Sequence, residues 1–209
     1  VGFGELIGLL QLMVEALQAG DVRRLRELCE YGNREYTRAD SAFSPVLAFL
    51  DELAGEGTLD DYLRLCAGLD ISGSVIFTGY LAPEEHRFLL PYARALLVPS
   101  LAPEAFGMVA TEAMASGVVP IASCHSGLET ALAPLKEVWG SDAESLLLGT
   151  PEKLVFRIAA ASRFVLNMTE HALRDMGARM REAVNEEFSW DAVSKRIVTL
   201  LKPGLSGRD

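Results

Sequence analysis

ARALLVPSLAPEAFGMVATEAMASGVVPIAS, residues 93–123, is the segment that most clearly indicates the fold class. It places two short apolar runs, 93–100 and 117–123, on either side of a segment rich in Ala and Met. Apolar runs that are bounded by Gly and Pro and separated by a helical pattern indicate a strand–helix–strand unit with buried, parallel strands. Glu104 falls in the loop before the helix and Glu112 inside it, eight positions further on.

Helical patterns are expected on both sides of this unit, and one further strand precedes it. That strand is SVIFTG, residues 74–79, an apolar run that ends at a Gly. The helical patterns cover residues 5–19, the segment that follows the cap Asp21, 45–54, 58–67, 82–93 and 151–202, with a final helix capped by Ser189 or Asp191. Strands that alternate with helices at this spacing predict an α/β fold with a parallel sheet covered on both faces.

Composition and charge indicate a globular protein and exclude some partners. Of the 209 residues 50% are hydrophobic, enough for a substantial core. The 29 acidic residues outnumber the 19 Lys and Arg, and the formal net charge is -10. That is the wrong sign for nucleic acid or for an anionic bilayer surface. A small phosphorylated ligand stays compatible with it, because a local site can be rich in amides or positive groups.

The cysteines and the start of the chain bear on where the protein works. Cys29, Cys66 and Cys124 are odd in number and far apart, which favours a reducing compartment, and we predict the cytoplasm. No apolar run reaches the roughly 18 to 20 residues of a membrane span, and the start has no basic segment of a signal peptide. The chain opens on VGFG, residues 1–4, without an initiator Met, so we expect a fragment that begins at the end of a strand.

The quoted stretch also predicts a ligand site, because ligands of open parallel sheets bind where strands end and loops lead into helices. Gly107 lets the backbone approach a ligand. The free amides and the dipole of the following helix start form an anion site without Lys or Arg. Glu104 and Glu112 would accept hydrogen bonds from ligand hydroxyls. Two such acceptors around an anion cradle suit a nucleotide sugar.

Each of these three residues also has a purely structural interpretation. Glu112 could be a first-turn carboxylate stabilised by the helix dipole. Glu104 could be a solvated loop residue, and Gly107 could serve only to interrupt regular secondary structure. The combination after an apolar strand and before a helix of small residues favours the ligand site.

The same residues carry a resemblance to a known family. PEAFGMVATEAMASGVVPIAS, residues 103–123, resembles the Glu-x7-Glu signature of the retaining, nucleotide-sugar-dependent glycosyltransferases of the GT-B fold, called group 1 or family 4. VGFG is similar to the family's strand-turn VGxG, SVIFTGYLAPEE (74–85) to its V-x-F-x-G strand and following helix, and FSWDAVSKRI (188–197) to its closing helix. The resemblance is strong over residues 71–133 and weaker over 177–202.

What the resemblance implies is the C-terminal, Rossmann-like half of a GT-B enzyme. It implies a single nucleotide-sugar-binding domain over 1–202 with a helical insertion at about 20–65, a helical C-terminus and a tail at 203–209. The enzyme would be hexosyltransferase-like and would move a sugar from a nucleoside diphosphate to a hydroxyl acceptor with retention of configuration. An N-terminal acceptor domain would lie outside this chain, so the chain alone is expected to bind nucleotide weakly and to transfer no sugar.

The resemblance also assigns residues to the parts of the donor. Glu104 would contact the donor sugar as the catalytic residue, and Glu112 would contact the ribose. The other donor-binding positions would be the phosphate-binding amides of Phe106, Gly107, Met108 and Val109, the base-side loop Thr78, Gly79 and Tyr80, and the turn that contains Gly2 and Gly4.

Three departures from the family pattern qualify this transfer of roles. The family's Arg and Lys for the diphosphate lie upstream of VGxG, before this chain begins. VGFG and VIFTG are about 70 residues apart rather than a few tens, which is why 20–65 is interpreted as an insertion. The loop after the second strand usually reads Gly-Gly-x-x-Glu, and here it reads HSGLE, residues 125–129. His125 would face the leaving phosphate or have a structural role, and His86 and His171 lie on amphipathic helices.

The sequence leaves two alternative functions open. The chain could be a binding module without chemistry, or a glycosidase that uses Glu104 and Glu112 as its carboxylate pair, which the loop-and-helix placement of the pair disfavours. No cofactor is expected besides the donor substrate, and no metal, because the sequence has no Asp-x-Asp and no cluster with ligand spacing. The expected partners are the donor and an unknown hydroxyl acceptor, with no nucleic acid and with peripheral membrane association for the parent protein only.

Overall fold

The computed structural model describes residues 6–35, 43–149 and 154–201. The chain divides into two compact units, Val1–Ala82 and Pro83–Asp209. The predicted turn with Gly2 and Gly4, and the predicted tail 203–209, lie outside the described residues.

The first unit is built from helices. They are α1 (Ile7–Gln18), α2 (Val22–Glu35), α3 (Ser44–Gly55), α4 (Leu59–Gly68) and the short α5 (Ile71–Ser74). α1 packs against α2 and α4, and the buried residues between the helices are Leu9, Met13, Ala16, Leu25, Leu28, Cys29, Phe43 and Leu50. The Asp21 carboxylate accepts a hydrogen bond of 2.9 Å from the amide of Arg24. The four helices predicted here and the cap at Asp21 are therefore confirmed.

The strand predicted at residues 74–79 is wrong. Ser74 ends α5, and residues 75–80 have no regular secondary structure. Val75 has an extended backbone (φ -102°, ψ 116°), but its side chain and that of Ile76 are 41% and 81% exposed. An apolar run becomes a buried parallel strand only where neighbouring strands take its backbone hydrogen bonds and helices cover its faces. The described residues of the first unit supply helices and no partner strand.

The second unit holds the parallel sheet. Its order is β1-β2-β3, with β1 at Ala95–Val98, β2 at Val119–Ser123 and β3 at Leu147–Leu148. Ala95 pairs with Val119, and Ala122 pairs with Leu147. Every residue of β2 is buried, as expected for the central strand of a sheet covered on both faces. Both strands predicted in the opening stretch are confirmed, whereas β3 is too short for a sequence pattern to indicate.

Helices flank this sheet. The helices of the second unit are α6 (Pro83–Leu89), α7 (Met108–Ala115), α8 (Gly127–Ala131), α9 (Ala133–Trp139), α10 (Leu154–Leu166), α11 (Glu170–Phe188) and α12 (Trp190–Leu201). Of these, α7 and α10 pack directly on the strands. The Thr169 hydroxyl caps α11 by accepting from the Ala172 amide at 3.2 Å. The Ser189 hydroxyl accepts from the Ala192 amide at 3.2 Å, so of the two predicted caps of the last helix Ser189 is the one that forms.

The helix α7 is held by a close approach to α11. A Cβ atom on Gly177 would lie 2.4 Å from the carbonyl oxygen of Gly117, so only glycine fits there. Arg181 donates from its guanidinium to the carbonyls of Ala115 and Ser116, both at 3.1 Å. These bonds satisfy carbonyls that the end of α7 leaves free, and they fix the helix whose other end faces the loop after β1.

The fold class is an α/β arrangement with a parallel three-stranded sheet flanked by helices, as predicted from the sequence. It is consistent with a Rossmann-like domain. The assignment of 1–202 to one domain with an insertion at 20–65 stays a prediction. Among the described residues no helix is both long and apolar enough to cross a membrane.

Candidate functional site

The loop between β1 and α7 forms the candidate site. β1 ends at Val98 and α7 begins at Met108, so the loop leaves the carboxyl end of a parallel strand and leads into a helix N-terminus. Gly107 adopts a left-handed conformation (φ 83°, ψ 49°) immediately before the helix. A Cβ atom there would lie 2.4 Å from Cδ2 of Leu128. Gly107 is therefore required both by its conformation and by the close approach of the next loop.

The backbone amides around this turn lack hydrogen-bond partners among the described residues. Within the described ranges, the amides of Phe106, Gly107, Met108 and Val109 donate no hydrogen bond to another residue. The Met108 and Val109 side chains are exposed, at 65% and 45%. Free amides at a helix start, together with the positive end of the helix dipole, favour an anion.

The two glutamates differ in their surroundings. Glu104 is half-buried in the loop, whereas Glu112 is exposed and is the fifth residue of α7. In the described part of the chain neither carboxylate makes a hydrogen bond or an ion pair. Because Glu112 is exposed, its carboxylate pays no desolvation cost in the unliganded chain. The first-turn interpretation of Glu112 is also wrong, since the first turn of α7 has no acidic residue.

An aromatic pair ties the loop to the C-terminal end of α11. The rings of Phe106 and Phe188 meet edge to face, with centroids 5.1 Å apart and planes at 83°. Pairs in this geometry contribute about 0.5 to 1.5 kcal/mol beyond the area they bury. The contact between Phe106 and Phe188 therefore helps to hold the turn that contains the unbonded amides.

The loop after β2 packs against the loop after β1. His125 Nε2 lies 2.8 Å from the carbonyl oxygen of Ser100, and Nδ1 lies 3.2 Å from the Ser126 hydroxyl. Both ring nitrogens therefore have partners within the protein. This favours the structural role for His125 over a contact with the leaving phosphate.

The remaining predicted positions lie in the first unit. Thr78, Gly79 and Tyr80 are exposed, Gly79 has a positive φ of 69°, and the Thr78 hydroxyl donates to the carbonyl of Gly79 at 3.3 Å. The second unit brings together residues 104–112 and 125–129. The turn with Gly2 and Gly4 is outside the described residues.

The sequence did not indicate that the loop after β2 holds the backbone of Glu104. Ser126 and Gly127 bond both backbone groups of Glu104, with the Ser126 hydroxyl 3.0 Å from its amide and the Gly127 amide 2.9 Å from its carbonyl. The sequence signal was the departure from Gly-Gly-x-x-Glu at 125–129. A serine in place of glycine does not by itself indicate which loop its hydroxyl reaches.

Comparison with known proteins supports a relationship to glycosyltransferases. Residues 52–146 match the family model described as Glycosyl transferases group 1. The match contains the loop after β1, α7 and the loop after β2. It begins inside the segment interpreted as an insertion, so α4 lies within the matched region and residues 20–51 lie outside it.

Two similar proteins are also named as glycosyltransferases. An uncharacterized glycosyltransferase of Methanocaldococcus jannaschii is 30% identical over 154 residues, which cover 72% of this chain and 36% of the relative. An MMP alpha-(1->4)-mannosyltransferase of Mycolicibacterium hassiacum is 34% identical over 143 residues, which cover 68% of this chain and 32% of the relative. The matches thus span about a third of the length of these relatives. No solved structure gives a significant match.

Proposed function

We propose that this chain carries the donor site of a glycosyltransferase that moves a sugar from a nucleoside diphosphate to a hydroxyl acceptor with retention of configuration. One observation carries the proposal. In the part of the chain that the structure describes, a turn whose amides have no partners is flanked by the unpaired carboxylates of Glu104 and Glu112. It lies at the carboxyl end of a parallel strand, inside the region that matches group 1 glycosyltransferases. The resemblance of this stretch to the GT-B, family 4 signature supports the finer assignment.

Each part of the donor has a counterpart in this arrangement. The amides of Phe106 to Val109 and the dipole of α7 would bind the diphosphate. Glu112 would accept hydrogen bonds from the ribose hydroxyls, and Glu104 from the hydroxyls of the sugar, since ionised carboxylates only accept. Thr78 to Tyr80 and the turn with Gly2 and Gly4 stay assigned to the donor by the resemblance alone.

The chemistry asked of these groups is electrostatic and positional. The bond between the anomeric carbon and the diphosphate oxygen breaks, and its electron pair goes to the diphosphate. The acceptor oxygen bonds to the anomeric carbon, and the hydroxyl proton passes to the departing diphosphate. Amides aimed at the diphosphate stabilise its growing charge. A carboxylate that holds the sugar hydroxyls keeps the anomeric carbon at attack distance.

The test is calorimetric titration of the chain with UDP and GDP, with their glucose and mannose conjugates, and with the matching 2',3'-dideoxy nucleoside diphosphates. Mannose is included because one relative is named as a mannosyltransferase. We expect one base to bind, the attached sugar to tighten binding, and the dideoxy compound to bind at least about tenfold more weakly, since hydrogen bonds to a charged group are worth about 1.5 to 3 kcal/mol.

A free disaccharide without nucleotide is the control ligand and is expected not to bind. The proposal fails if none of the nucleotides binds, or if the dideoxy compound binds as well as the ribonucleotide. Binding of the disaccharide in place of the nucleotides would favour the glycosidase alternative.

A further inference from the structure

Ser126 has a backbone conformation that serines rarely adopt. Its φ is 51° and its ψ is -136°, and it is the one non-glycine residue with a positive φ in the part of the chain that the structure describes. A conformation of this kind costs about 1 to 3 kcal/mol and persists only where surrounding contacts determine it. The position would therefore be easier to occupy with glycine, and the serine needs a compensating role.

The role is visible in what the turn bonds. The Ser126 hydroxyl accepts a hydrogen bond from the Glu104 amide at 3.0 Å, and the next residue, Gly127, donates its amide to the Glu104 carbonyl at 2.9 Å. A Cβ atom on Gly127 would lie 2.3 Å from the carbonyl carbon and oxygen of Ala105. The turn therefore hydrogen-bonds both the amide and the carbonyl of Glu104, and its own backbone at Gly127 lies against the Ala105 peptide.

His125 connects the same turn to Ser100, at the start of the loop after β1. A carbonyl oxygen can only accept, so the 2.8 Å contact to Ser100 requires the proton on His125 Nε2. In the neutral ring Nδ1 is then an acceptor, so the Ser126 hydroxyl donates to it across 3.2 Å. The hydroxyl oxygen keeps its lone pairs for the Glu104 amide. Every donor in this series meets an acceptor without conflict.

We propose that His125 and Ser126 form a brace that positions Glu104, with Ser126 as the positioning residue that sets how the sugar is held. The brace joins Ser100, where β1 leads into the loop, to Glu104, so it fixes both ends of the segment 101–103. Its effect on the sugar rests on the proposed function, whereas the hydrogen-bond series itself does not. The strain at Ser126 is the cost of presenting a hydroxyl where glycine would present none.

The first experiment separates positioning from stability with Ser126→Gly. This change relieves the strain and removes the hydroxyl, so the melting temperature is expected to stay the same or rise. The ratio of the Kd for the bare nucleoside diphosphate to the Kd for its sugar conjugate is expected to fall about three- to tenfold, the scale of one lost hydrogen bond. A serine with only a structural role would give the reverse pattern, a lower melting temperature and an unchanged ratio, which would overturn the proposal.

A matched control uses Ser194, whose hydroxyl donates to the Asp191 carbonyl within α12. Ser194→Ala removes a hydroxyl of the same kind and is expected to leave the ratio of the two Kd values unchanged. A Ser194→Ala protein that lost the sugar preference as much as Ser126→Gly would show that the effect is not specific to the brace.

The second experiment needs no ligand. Nitrogen-15 spectra of the imidazoles are expected to show His125 with Nε2 protonated and Nδ1 unprotonated, while the exposed His171 averages between tautomers. In Ser126→Ala the Glu104 amide is expected to exchange with solvent at least several-fold faster. The opposite tautomer, or unchanged exchange, would refute the brace. If the unmutated chain shows no preference for the sugar conjugate, the proposed function and the sugar role of Ser126 fail together, and these spectra still decide whether the brace exists.

Discussion

Two loops leave the carboxyl ends of neighbouring strands in the second unit, and they differ in how their polar groups are used. Among the described residues, the loop from β1 to α7 and the start of that helix have no partners for the amides of Phe106 to Val109 or for the carboxylates of Glu104, in the loop, and Glu112, in α7. The loop from β2 to α8 has its histidine, its serine and the first amide of α8 bonded within the protein. The first loop is open to a ligand, and the second holds the first in place.

This difference explains why both loops contain a glycine at their helix start. Gly107 clears Leu128 on α8, the helix that follows the second loop, and Gly127, the first residue of α8, clears Ala105 of the first loop. Each loop therefore occupies the space that a side chain on the other would need. If the second loop is a support for the first, steric changes at this junction should disturb the free amides even where the altered residue touches no ligand.

The largest effect is expected from Gly127→Ala. The added Cβ would lie 2.3 Å from backbone atoms of Ala105, which cannot move without shifting the whole loop. We expect the free energy of unfolding to fall by about 3 kcal/mol, the upper range for overpacking. Urea unfolding followed by tryptophan fluorescence measures it, because Trp139 and Trp190 both lie in the second unit.

Gly149→Ala is the matched control for that change. Its nearest neighbour would be Arg157 Nε at 3.8 Å, an ordinary contact, and we expect a change within about 0.5 kcal/mol. Equal stability of the two alanine variants would contradict the supporting role of the second loop, since it would mean that the two loops are not closely packed.

A smaller effect is expected from Gly107→Ala. An L-residue in the left-handed conformation costs about 1 to 2 kcal/mol, and the Cβ would also meet Cδ2 of Leu128 at 2.4 Å. We expect a loss of about 2 kcal/mol and weaker nucleotide binding, because the amides at the helix start move. Leu128→Ala shortens the opposing side chain, so in a double-mutant cycle the two changes together should cost less than their sum. If the two losses of stability are strictly additive, the effect of Gly107→Ala does not come from the contact with Leu128.

The smallest effect is expected from Phe106→Leu, which removes the ring pair with Phe188. The loss should be about 1 kcal/mol, with a measurable drop in nucleotide affinity because the turn loses its side-chain anchor. Phe164→Leu is the control: that ring lies on α10 and pairs with Trp139 of α9 at 6.1 Å. A similar loss of stability with unchanged nucleotide affinity is expected there, and equal effects on affinity would contradict the anchoring role of Phe106.

The sequence was informative where local pattern and burial agree. The apolar runs at 93–100 and 117–123 flank a helix of small residues, and they became β1 and β2 because the two strands pair with each other. β2 is buried throughout, whereas Leu97 of β1 is 43% exposed. The run at 74–79 is also apolar but did not become a strand, because strand formation depends on a partner strand that no local pattern encodes. Burial and pairing are properties of the folded chain, which is why β3 was also missed.

The same limit applies to the candidate site. Glu104, Gly107 and Glu112 could be identified from their placement between a strand and a helix. The environment of Glu112 could not, since whether a helix position faces solvent depends on how α7 packs against α11. The role of Ser126 depends on a positive φ and on a hydrogen bond to a residue 22 positions away, and neither is written in the composition of the loop.

The measurement that tests the account most directly is the affinity of Glu104→Gln and Glu112→Gln for a nucleoside diphosphate and for its sugar conjugate. Glu137→Gln, an exposed change on α9, serves as the control. Glu112→Gln is expected to weaken both ligands by about 1.5 to 3 kcal/mol, the scale of a hydrogen bond to a charged group, because the ribose is common to both. Glu104→Gln should weaken the sugar conjugate alone. Equal losses for both ligands in both variants, or no loss in either, would contradict the division of the donor between the two glutamates.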